Sequence, residues 1–255
     1  MVDYFDFTGK VVMVVGVGGF GCAQAVAFAE RGADIVAADN RTEVAEEVAE
    51  KVKALGRKAL AISVDVTDEQ SVVDMVEKAV ASFNHIDVLV NTAGTVVRGY
   101  TGLDMPIADW QRIIDVNARG TLLCCREVAR QMIKQGGGRI INTSSVRGFY
   151  ATENGGIGYC DSKAAVNLIT KALACELAKH NIRVNALAPT VIKTDFVKQI
   201  TEDPEAQKRL SKTIPLGRVG ETEDIVGPTL FLASDASNYV TAHILMVDGG
   251  LTAKV

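Results

Sequence analysis

Short runs of β-branched and other apolar residues alternate along this chain with longer segments that have the apolar spacing of helices. The first run, Lys10–Gly16, is almost entirely apolar and ends in glycine, as expected of a strand buried on both faces. This alternation predicts a parallel sheet whose strands are joined by right-handed helical crossovers. The 255 residues contain no repeat or linker, so we predict one doubly wound α/β domain spanning residues 1–255.

The same pattern places about seven strands in regular succession, with helices expected on both faces of the sheet. The predicted strands are Lys10–Gly16, Asp34–Asp39, Ala59–Val64, Asp87–Asn91, Gly138–Thr143, Arg183–Ala188 and Ile244–Val247. The predicted helices are Ala23–Arg31, Thr42–Leu55, Asp68–Phe83, Asp109–Gln135, Tyr159–His180 and Glu223–Ser234.

Composition and charge argue against several classes of function. The formal net charge is −4 and the chain has no basic stripe, which argues against a nucleic-acid or anionic-membrane partner. Residues 1–10 are polar and no apolar stretch is long enough to span a membrane, so we expect a cytoplasmic protein. The five cysteines form no C-x-x-C pair, and the three histidines share no ligand spacing. We therefore predict buried, unpaired cysteines and no metal site.

A glycine-rich segment, Gly16–Gly21, lies between the first predicted strand and the first predicted helix. Glycines at this place let the backbone turn tightly and approach a pyrophosphate at the positive end of the helix. Asp39 ends the second strand, where a carboxylate binds the adenosine ribose hydroxyls and repels a 2′-phosphate. These residues favour NAD over NADP. Arg41 is close enough to pair with a phosphate, although a solvated loop arginine is the simpler interpretation.

A tyrosine and a lysine four residues apart, Tyr159 and Lys163, open the long helix of the second half. Residues at this spacing share one helix face, so the phenol and the ammonium can point into one cleft. A phenol ordinarily has a pKa near ~10, too high for proton exchange at neutral pH. A neighbouring ammonium favours the phenolate, so the pair predicts a general acid and base with a lowered pKa.

The chain resembles the short-chain dehydrogenase/reductase family from Phe7 to Ala253, because several short motifs occur in that family's order. Besides Gly16–Gly21 and the Tyr159/Lys163 pair, these motifs are Asp65-Val66, Asn91-Thr92-Ala93-Gly94, Asn117, Ser144-Ser145, Arg183-Val184-Asn185 with Pro189, and Asp248-Gly249-Gly250. The resemblance implies a Rossmann-like fold and hydride transfer between a nicotinamide cofactor and a secondary alcohol or ketone. Within the family, the chain is somewhat similar to gluconate 5-dehydrogenase and polyol dehydrogenase members.

The resemblance also implies a role for each matching residue. Ser145 would bind the substrate oxygen and Tyr159 would exchange a proton with it, so both would contact the substrate. Lys163 would bind the nicotinamide ribose and lower the pKa of the tyrosine, and Asn117 would hold a water that links Lys163 to solvent. The residues implied to contact the cofactor are Gly16, Gly18, Gly19, Phe20, Gly21, Asp39, Asp65, Val66, Asn91, Ala93, Gly94, Tyr159, Lys163, Pro189, Ile192 and Thr194.

The sequence departs from the family pattern at three places. Val15 replaces the usual threonine before the glycine turn, and the turn is one residue shorter. Thr92 stands where asparagine is common, and Thr190 replaces the glycine that normally follows Pro189. These changes put the phosphate contacts and the loop beside the nicotinamide in question, but they remove no catalytic group.

Two arginines near the expected cleft bear on the substrate. Arg98 resembles an arginine of gluconate 5-dehydrogenase-like members, and Arg147 follows Ser145 where a small residue is more usual. Such a pair can bind an anion through two parallel hydrogen bonds, which suggests a hydroxy acid or sugar acid as substrate. The alternative is that either arginine turns outward into a salt bridge and has no part in substrate binding. Residues 191–219 are expected to form a substrate lid. Further pocket candidates are Val96, Val97, Phe149, Glu153 and Asn154.

The leading functional hypothesis is an NAD-dependent oxidoreductase of secondary alcohols, assembled as a homotetramer through the two long helices, as the family resemblance implies. Three alternatives remain open at this point. An NADP-dependent 3-oxoacyl thioester reductase is disfavoured by Asp39, and a catalytically silent dinucleotide sensor by the Ser145, Tyr159 and Lys163 set. A methyltransferase would use a similar glycine loop but has no need of the Tyr159/Lys163 pair.

Overall fold

A seven-stranded parallel sheet forms the centre of the molecule in the computed structural model, which describes residues 3–151, 155–194, 197 and 203–253. The strands are β1 Val11–Val15, β2 Asp34–Asp39, β3 Ala59–Ser63, β4 Val88–Asn91, β5 Gly138–Thr143, β6 Ile182–Pro189 and β7 Ile244–Val247. Their order across the sheet is β3-β2-β1-β4-β5-β6-β7, and each neighbouring pair runs parallel. The predicted α/β fold class is therefore confirmed.

Helices cover both faces of this sheet. They are α1 Phe20–Glu30, α2 Thr42–Ala54, α3 Glu69–Phe83, α4 Ile107–Ile114, α5 Gly120–Gln135, α6 Ile157–Leu177, α7 Pro204–Thr213 and α8 Glu223–Ala233. The central strand β1 shows how the two cores arise, because successive side chains of a strand point to opposite faces. Met13 is buried in the core that contains residues of α3, α5 and α6, whereas Val12 and Val14 are buried in the core that contains residues of α1, α2 and α8.

The predicted helix Asp109–Gln135 is wrong in one respect, because a π-helical turn at Asp115–Arg119 separates α4 from α5. Within that turn, the Asn117 side chain binds the backbone of Thr95, and such an attachment stabilises the irregular turn. Other helix boundaries also differ. Helix α1 begins at Phe20 rather than Ala23, α6 spans Ile157–Leu177 rather than Tyr159–His180, and α7 lies inside a segment for which no helix was predicted.

The cysteine prediction is confirmed only in part. Cys124 and Cys125 are buried and unpaired, but Cys175 is exposed on α6. Within the part of the chain that the structure describes, no group of three or more potential metal ligands comes together. None of the described helices combines the length and apolar character needed to cross a bilayer.

Candidate active site

The predicted glycine turn joins β1 to α1 at the carboxyl edge of the sheet. Gly16 has a φ of 88°, and a Cβ there would lie 2.4 Å from Ala93 N, so only glycine fits. Gly19, with a φ of 55°, precedes α1, and no side chain caps the N–H groups of that helix. The turn therefore presents open backbone donors and a helix N-terminus, which is the arrangement that binds a pyrophosphate.

Two of the sequence departures meet within this turn. The Thr92 hydroxyl lies within hydrogen-bonding distance of Val15 O, at 2.9 Å, and of Gly16 O. A Cβ on Gly21 would lie 2.8 Å from the same hydroxyl and 2.2 Å from Gly16 O. Thr92 thus fastens the loop after β4 to the shortened turn, and the small Gly21 leaves space for it.

The acidic end of β2 lies directly beside the turn. Asp39 is 6% exposed, and its Oδ2 accepts a hydrogen bond from Gly18 N at 3.3 Å. Its Oδ1 accepts from Arg41 N at 3.1 Å and faces Arg41 Nε at 3.4 Å. The expectation of a solvated Arg41 is met only in part, since this side chain is 58% exposed but paired with Asp39.

Several other predicted cofactor residues border the same cleft. A Cβ on Gly94 would lie 3.4 Å from Asn117 Oδ1 and 3.8 Å from Lys163 Nζ, so Gly94 sits between these two residues. The Thr194 methyl lies 3.3 Å from an equivalent Cβ on Gly19, which brings the segment after β6 over the glycine turn. Four more predicted cofactor residues lie at or just beyond the ends of β1, β4 and β6, namely Phe20, Ala93, Pro189 and Ile192.

Three predicted cofactor residues have other contacts in this structure. The Asn91 side chain donates to Asn142 Oδ1 at 2.9 Å within the core, so it faces away from the cleft. The exposed Asp65 carboxylate accepts hydrogen bonds from the backbone N–H and hydroxyl of Thr67. Val66 is buried and packs against Gly120, where a Cβ would lie 2.8 Å from its methyl group.

Asn117 is fully buried in the π-helical turn, and its side chain makes three hydrogen bonds. Its Oδ1 accepts from Thr95 N at 2.7 Å, and its Nδ2 donates to Thr95 O at 2.9 Å and to Ser162 Oγ at 3.0 Å. These contacts fix the loop after β4 against the first turns of α6. Asn117 thereby holds the Gly94 region in place beside Lys163.

Tyr159 and Ser145 come together as the sequence predicted, from the first turn of α6 and the end of β5. Ser145 is 6% exposed, and its Oγ lies 3.4 Å from Pro189 O and accepts from Arg147 N at 3.1 Å. Burial raises the pKa of Tyr159 above its ordinary value, while a hydrogen bond with Ser145 and the charges of Arg98 and Arg147 oppose this shift. Hence the predicted lowering of the Tyr159 pKa is wrong for the ligand-free site.

Lys163 explains why that lowering does not occur. The lysine is 3% exposed, its Nζ lies 5.6 Å from the Tyr159 ring centroid, and it donates to Thr143 O at 2.7 Å. Burial lowers the pKa of Lys163 to about 8, so the lysine has lost its proton at the higher pH where Tyr159 titrates and supplies no positive charge there. The carbonyl of Thr143 was not predicted as part of the site, because every residue carries such a group and sequence does not mark the one that is used.

The arginines reach the site from two loops. Both Arg98 and Arg147 are exposed residues, yet both lie close enough to lower the pKa of Tyr159. Arg147 also donates from Nη1 to Ala151 O at 2.9 Å, which ties the loop between β5 and α6. Phe149 is exposed nearby in sequence, whereas the pocket candidates Glu153 and Asn154 lie outside the described residues.

These groups define what the cleft can do chemically. A dinucleotide fits the glycine turn, because the turn carries no side chain at Gly18 and Gly19, no side chain caps the start of α1, and a carboxylate lies at the ribose end. A hydroxyl and a phenol, from Ser145 and Tyr159, lie hydrogen-bonded at the other end of the same sheet edge. One cleft therefore combines a nucleotide cradle with a proton-exchanging pair.

Comparison with known proteins agrees with this geometry. A family model described as enoyl-(acyl carrier protein) reductase matches residues 16–252. The chain is 41% identical to 2-dehydro-3-deoxy-D-gluconate 5-dehydrogenase from Dickeya dadantii, with 100% of both chains covered. It is 40% identical to a 3-oxoacyl-(acyl-carrier-protein) reductase from Thermotoga maritima, covering 95% of this chain and 98% of the relative.

A solved structure gives the same result. The gluconate 5-dehydrogenase from Burkholderia cenocepacia J2315, in complex with NADP and tartrate, superposes with a TM-score of 0.94 at 34% identity, and 99% of each chain is covered. Fold, site and relatives agree over nearly the whole length of the chain. The protein is thus an oxidoreductase acting on CH–OH groups and belongs to the short-chain dehydrogenase/reductase family.

Proposed function

We propose that the protein oxidises a secondary hydroxyl of a sugar acid or related hydroxy acid with NAD, and that it catalyses the reverse reduction of the ketone. The observation that carries this proposal is the placement of Arg98 and Arg147, whose charges both act on the Tyr159 hydroxyl. Positive charge so near the reacting oxygen suits a substrate that carries a carboxylate close to its hydroxyl. The relative from Dickeya dadantii acts on such a sugar acid, as its name states.

NAD is the proposed cofactor because Asp39 ends β2 beside the glycine turn. A carboxylate at this place hydrogen-bonds the ribose hydroxyls and repels a 2′-phosphate. The nicotinamide supplies hydride transfer to or from the substrate carbon. Gly94, Lys163 and Thr194 border the cleft between the turn and Tyr159, so we assign this part of the cleft to the nicotinamide ribose and ring.

The protein's part in the reaction is to hold the substrate oxygen and to move one proton. Ser145 donates a hydrogen bond to that oxygen and so stabilises the charge that develops on it. During oxidation the Tyr159 phenolate accepts the hydroxyl proton, and during reduction the Tyr159 phenol returns a proton to the carbonyl oxygen. Near neutral pH Lys163 is still protonated, and its ammonium, held by Thr143 O, is placed to bind the nicotinamide ribose beside Tyr159.

Because burial raises the pKa of Tyr159, little of the phenolate needed to accept a proton is present at neutral pH. We therefore expect kcat/KM for oxidation to increase as the pH rises, and kcat/KM for reduction to be higher on the neutral side. The Ser145 hydrogen bond and the two arginines bring the pKa back toward the working range. A pH profile of both directions measures this.

Residues 191–219, of which 195, 196 and 198–202 lie outside the described residues, are proposed to close over cofactor and substrate. Both ends of this segment are fixed to each other, since Lys193 N donates to Gly220 O at 2.9 Å and Gly220 N donates to Val191 O at 3.0 Å. Helix α7 lies between these two ends. Its charged side chains are all exposed, and none of its residues is fully buried. A helix with no fully buried residue, standing between two fixed ends, is suited to move.

We also propose that the protein is a homotetramer built on α5 and α6, in keeping with the family resemblance. Leu122, Ile133 and Leu168 are exposed apolar residues on these two helices, which is consistent with a contact between subunits. Size-exclusion chromatography with light scattering measures the assembly. A monomeric mass would contradict this part of the proposal.

A rival function within the same family is reduction of a 3-oxoacyl thioester. It is favoured by the relative from Thermotoga maritima, which is 40% identical. Asp39 counts against it if that reaction uses NADP, and two arginines beside Tyr159 have no role with a neutral ketone. The two functions separate cleanly when sugar acids, neutral polyols and a 3-oxoacyl thioester are assayed side by side.

The decisive experiment replaces Arg147 with alanine. If Arg147 binds the substrate carboxylate, KM for the best hydroxy acid rises about tenfold or more, whereas KM for a neutral polyol of equal length is unchanged. Arg147→Lys keeps the charge without the planar fork, so it should restore part of the affinity. Loss of the Arg147–Ala151 contact alone would affect both substrates equally, and that result would refute the role in binding.

A control variant is Arg130→Ala. Arg130 is 61% exposed on α5 and pairs only with Glu127 among the described residues, so its removal tests the general effect of losing a surface arginine. Its KM values should match those of the wild type for both substrates. If the wild type oxidises no hydroxy acid but reduces the thioester, the rival function is correct.

A further inference from the structure

The turn that carries Ser145, residues 144–148, is held at both ends by one side chain of the neighbouring helix; we call it the serine turn. Asn167 is 5% exposed on α6, and its Oδ1 accepts a hydrogen bond from Ser144 Oγ at 2.5 Å. Its Nδ2 donates to Gly148 O at 3.1 Å. A single amide therefore binds the residue before Ser145 and the residue that ends the turn after it.

The serine turn also packs directly on the backbone of α6. Its 3₁₀ portion, Val146–Gly148, is closed by a hydrogen bond from Gly148 N to Ser145 O at 2.9 Å. A Cβ on Gly148 would lie 2.8 Å from both Asn167 Nδ2 and Lys163 O, so the absence of a side chain brings the turn this close to the helix. The two anchor points need an acceptor and a donor, and an amide supplies both on one planar group.

Asn167 lies on the same face of α6 as the proposed acid–base residue. Tyr159 and Asn167 are eight residues apart with Lys163 midway, and residues at this spacing lie above one another on a helix. The Ser145 hydroxyl forms a hydrogen bond with Tyr159. The distance from the hydroxyl to the phenol thus depends on how the serine turn sits on α6, and the amide of Asn167 fixes that position.

We propose that Asn167 is a positioning residue for the reaction, whose amide fixes the serine turn on α6 and so places the Ser145 hydroxyl against Tyr159. Asn167 acts through Ser145 and contacts neither substrate nor cofactor. The inference rests on the proposed roles of Ser145 and Tyr159, but it does not depend on which alcohol or ketone is the substrate.

The serine turn also supplies two of the influences that lower the pKa of Tyr159. The charged and titratable groups that act on the Tyr159 phenol or lie against its ring are Arg98, Arg147, Cys160 and Lys163. Of these, only Arg147 belongs to the serine turn, which also carries the hydroxyl of Ser145. Loosening the turn weakens both influences and leaves the other three groups in place. The pKa of Tyr159 then rises, because burial is opposed by less.

The experiment compares kcat among variants, using the best substrate from a panel of hydroxy acids, neutral polyols and a 3-oxoacyl thioester. Asn167→Leu keeps the branched shape of the side chain but has neither donor nor acceptor. It is made alone and together with Ser145→Ala, and NAD affinity is measured by calorimetry. The control is Thr170→Val on the same helix. Thr170 is fully buried and its Oγ1 accepts from Asn142 Nδ2 at 3.0 Å, so valine removes a buried hydrogen bond without touching the serine turn.

Asn167→Leu should lower kcat by about ten- to hundredfold while the affinity for NAD changes by less than about threefold, because the hydroxyl is displaced and the glycine turn is not. Since Asn167 acts through Ser145, the double variant should be no slower than Ser145→Ala alone. In Asn167→Leu the increase of kcat/KM for oxidation with pH should move to higher pH. Thr170→Val should keep the kcat and the pH profile of the wild type.

A wild-type kcat in Asn167→Leu overturns the inference, as does a loss that is equally large with and without the Ser145 hydroxyl. A similar loss in Thr170→Val also overturns it, because any buried hydrogen bond of α6 would then have the same effect. If Asn167→Leu does not fold, Ser144→Ala decides, since it removes one of the two hydrogen bonds. A loss of about threefold or more that is absent beside Ser145→Ala supports the inference, and an unchanged kcat overturns it.

These results separate the inference from the proposed function. If the best substrate is a polyol or the thioester, the proposed substrate is wrong while the test of Asn167 remains valid. If Ser145→Ala lowers kcat and Asn167→Leu does not, only the inference fails. If Ser145→Ala keeps the wild-type kcat, the proposed role of Ser145 is wrong and the inference fails with it.

Discussion

Burial of Lys163 in the active site lowers the free energy of unfolding of the protein. The residue is 3% exposed, and its ammonium donates a hydrogen bond to Thr143 O. Burial lowers its pKa from 10.5 to about 8. Replacing this lysine with methionine removes the buried charge and retains most of the side-chain volume, so Lys163→Met should stabilise the ligand-free protein while it lowers activity.

The magnitude follows from the pKa shift. A difference of about 2.5 units between unfolded and folded states corresponds to roughly 3 kcal/mol of destabilisation at neutral pH. Loss of the hydrogen bond to Thr143 O subtracts about 1 kcal/mol, so the expected net gain at pH 7 is about 2 kcal/mol. Because the unfolded chain binds the proton more tightly, the cost is fully present below pH 8 and disappears as the pH rises from 8 to 10.5.

The assay is urea unfolding of the wild type and Lys163→Met at pH 7, 8, 9 and 10. The advantage of the variant should be greatest at pH 7 and should decline by up to about 1.4 kcal/mol per pH unit above pH 8. Lys171→Met, an exposed lysine on the same helix, should show no such trend. A difference between Lys163→Met and the wild type that stays constant with pH would refute the reasoning.

Three further predictions concern other parts of the site. Ser145→Ala should lower kcat by about 10²- to 10³-fold in steady-state assays while cofactor affinity is retained, because the hydrogen bonds to the substrate oxygen and to Tyr159 are lost and the glycine turn is unchanged. Gly16→Ala should lower the unfolding free energy by about 3 kcal/mol or more, whereas Gly56→Ala, also at positive φ but with open space around it, should cost about 1 kcal/mol. Asp224→Asn should change the free energy of unfolding by less than about 1 kcal/mol, because the ion pair of Asp224 with Arg218 is partly exposed. Because this ion pair holds the end of the segment, the same substitution should speed protease cleavage within residues 191–219 several-fold. The pKa of Asp224 is lowered to about 2, so the same loosening should appear in the wild type only as the pH falls toward that value.

The sequence predicted the sheet well, because parallel strands buried on both faces are continuous apolar runs. β2, β5 and β7 match their predicted bounds, β3 and β4 differ by one residue at one end, and β1 and β6 differ by one residue at both ends. Helix interruptions were harder to predict. The π-helical turn around Asn117 depends on hydrogen bonds to Thr95, a residue distant in sequence, and periodicity within the helix does not contain that information.

The active site could likewise be predicted only in part from the sequence. Side chains such as Ser145, Tyr159 and Lys163 are marked by residue type and spacing, and the structure gathers them at one edge of the sheet. Their electrostatic state was not predictable, because the pKa of Tyr159 depends on how much surface is buried and on loops that bring in distant charges. The position of Arg41 above Gly18 likewise arises only when the turn and the end of β2 are seen together.

The most direct test of the central claim is NADH formation from NAD with a panel of sugar acids and other hydroxy acids, comparing the wild type with Tyr159→Phe. The control is Tyr239→Phe, a fully exposed tyrosine beyond α8. We predict turnover of at least one hydroxy acid by the wild type and the control, and a loss of about 10³-fold or more in Tyr159→Phe, with NAD affinity unchanged by calorimetry. Equal turnover in Tyr159→Phe and the wild type would contradict the account, because proton transfer would then not pass through this phenol.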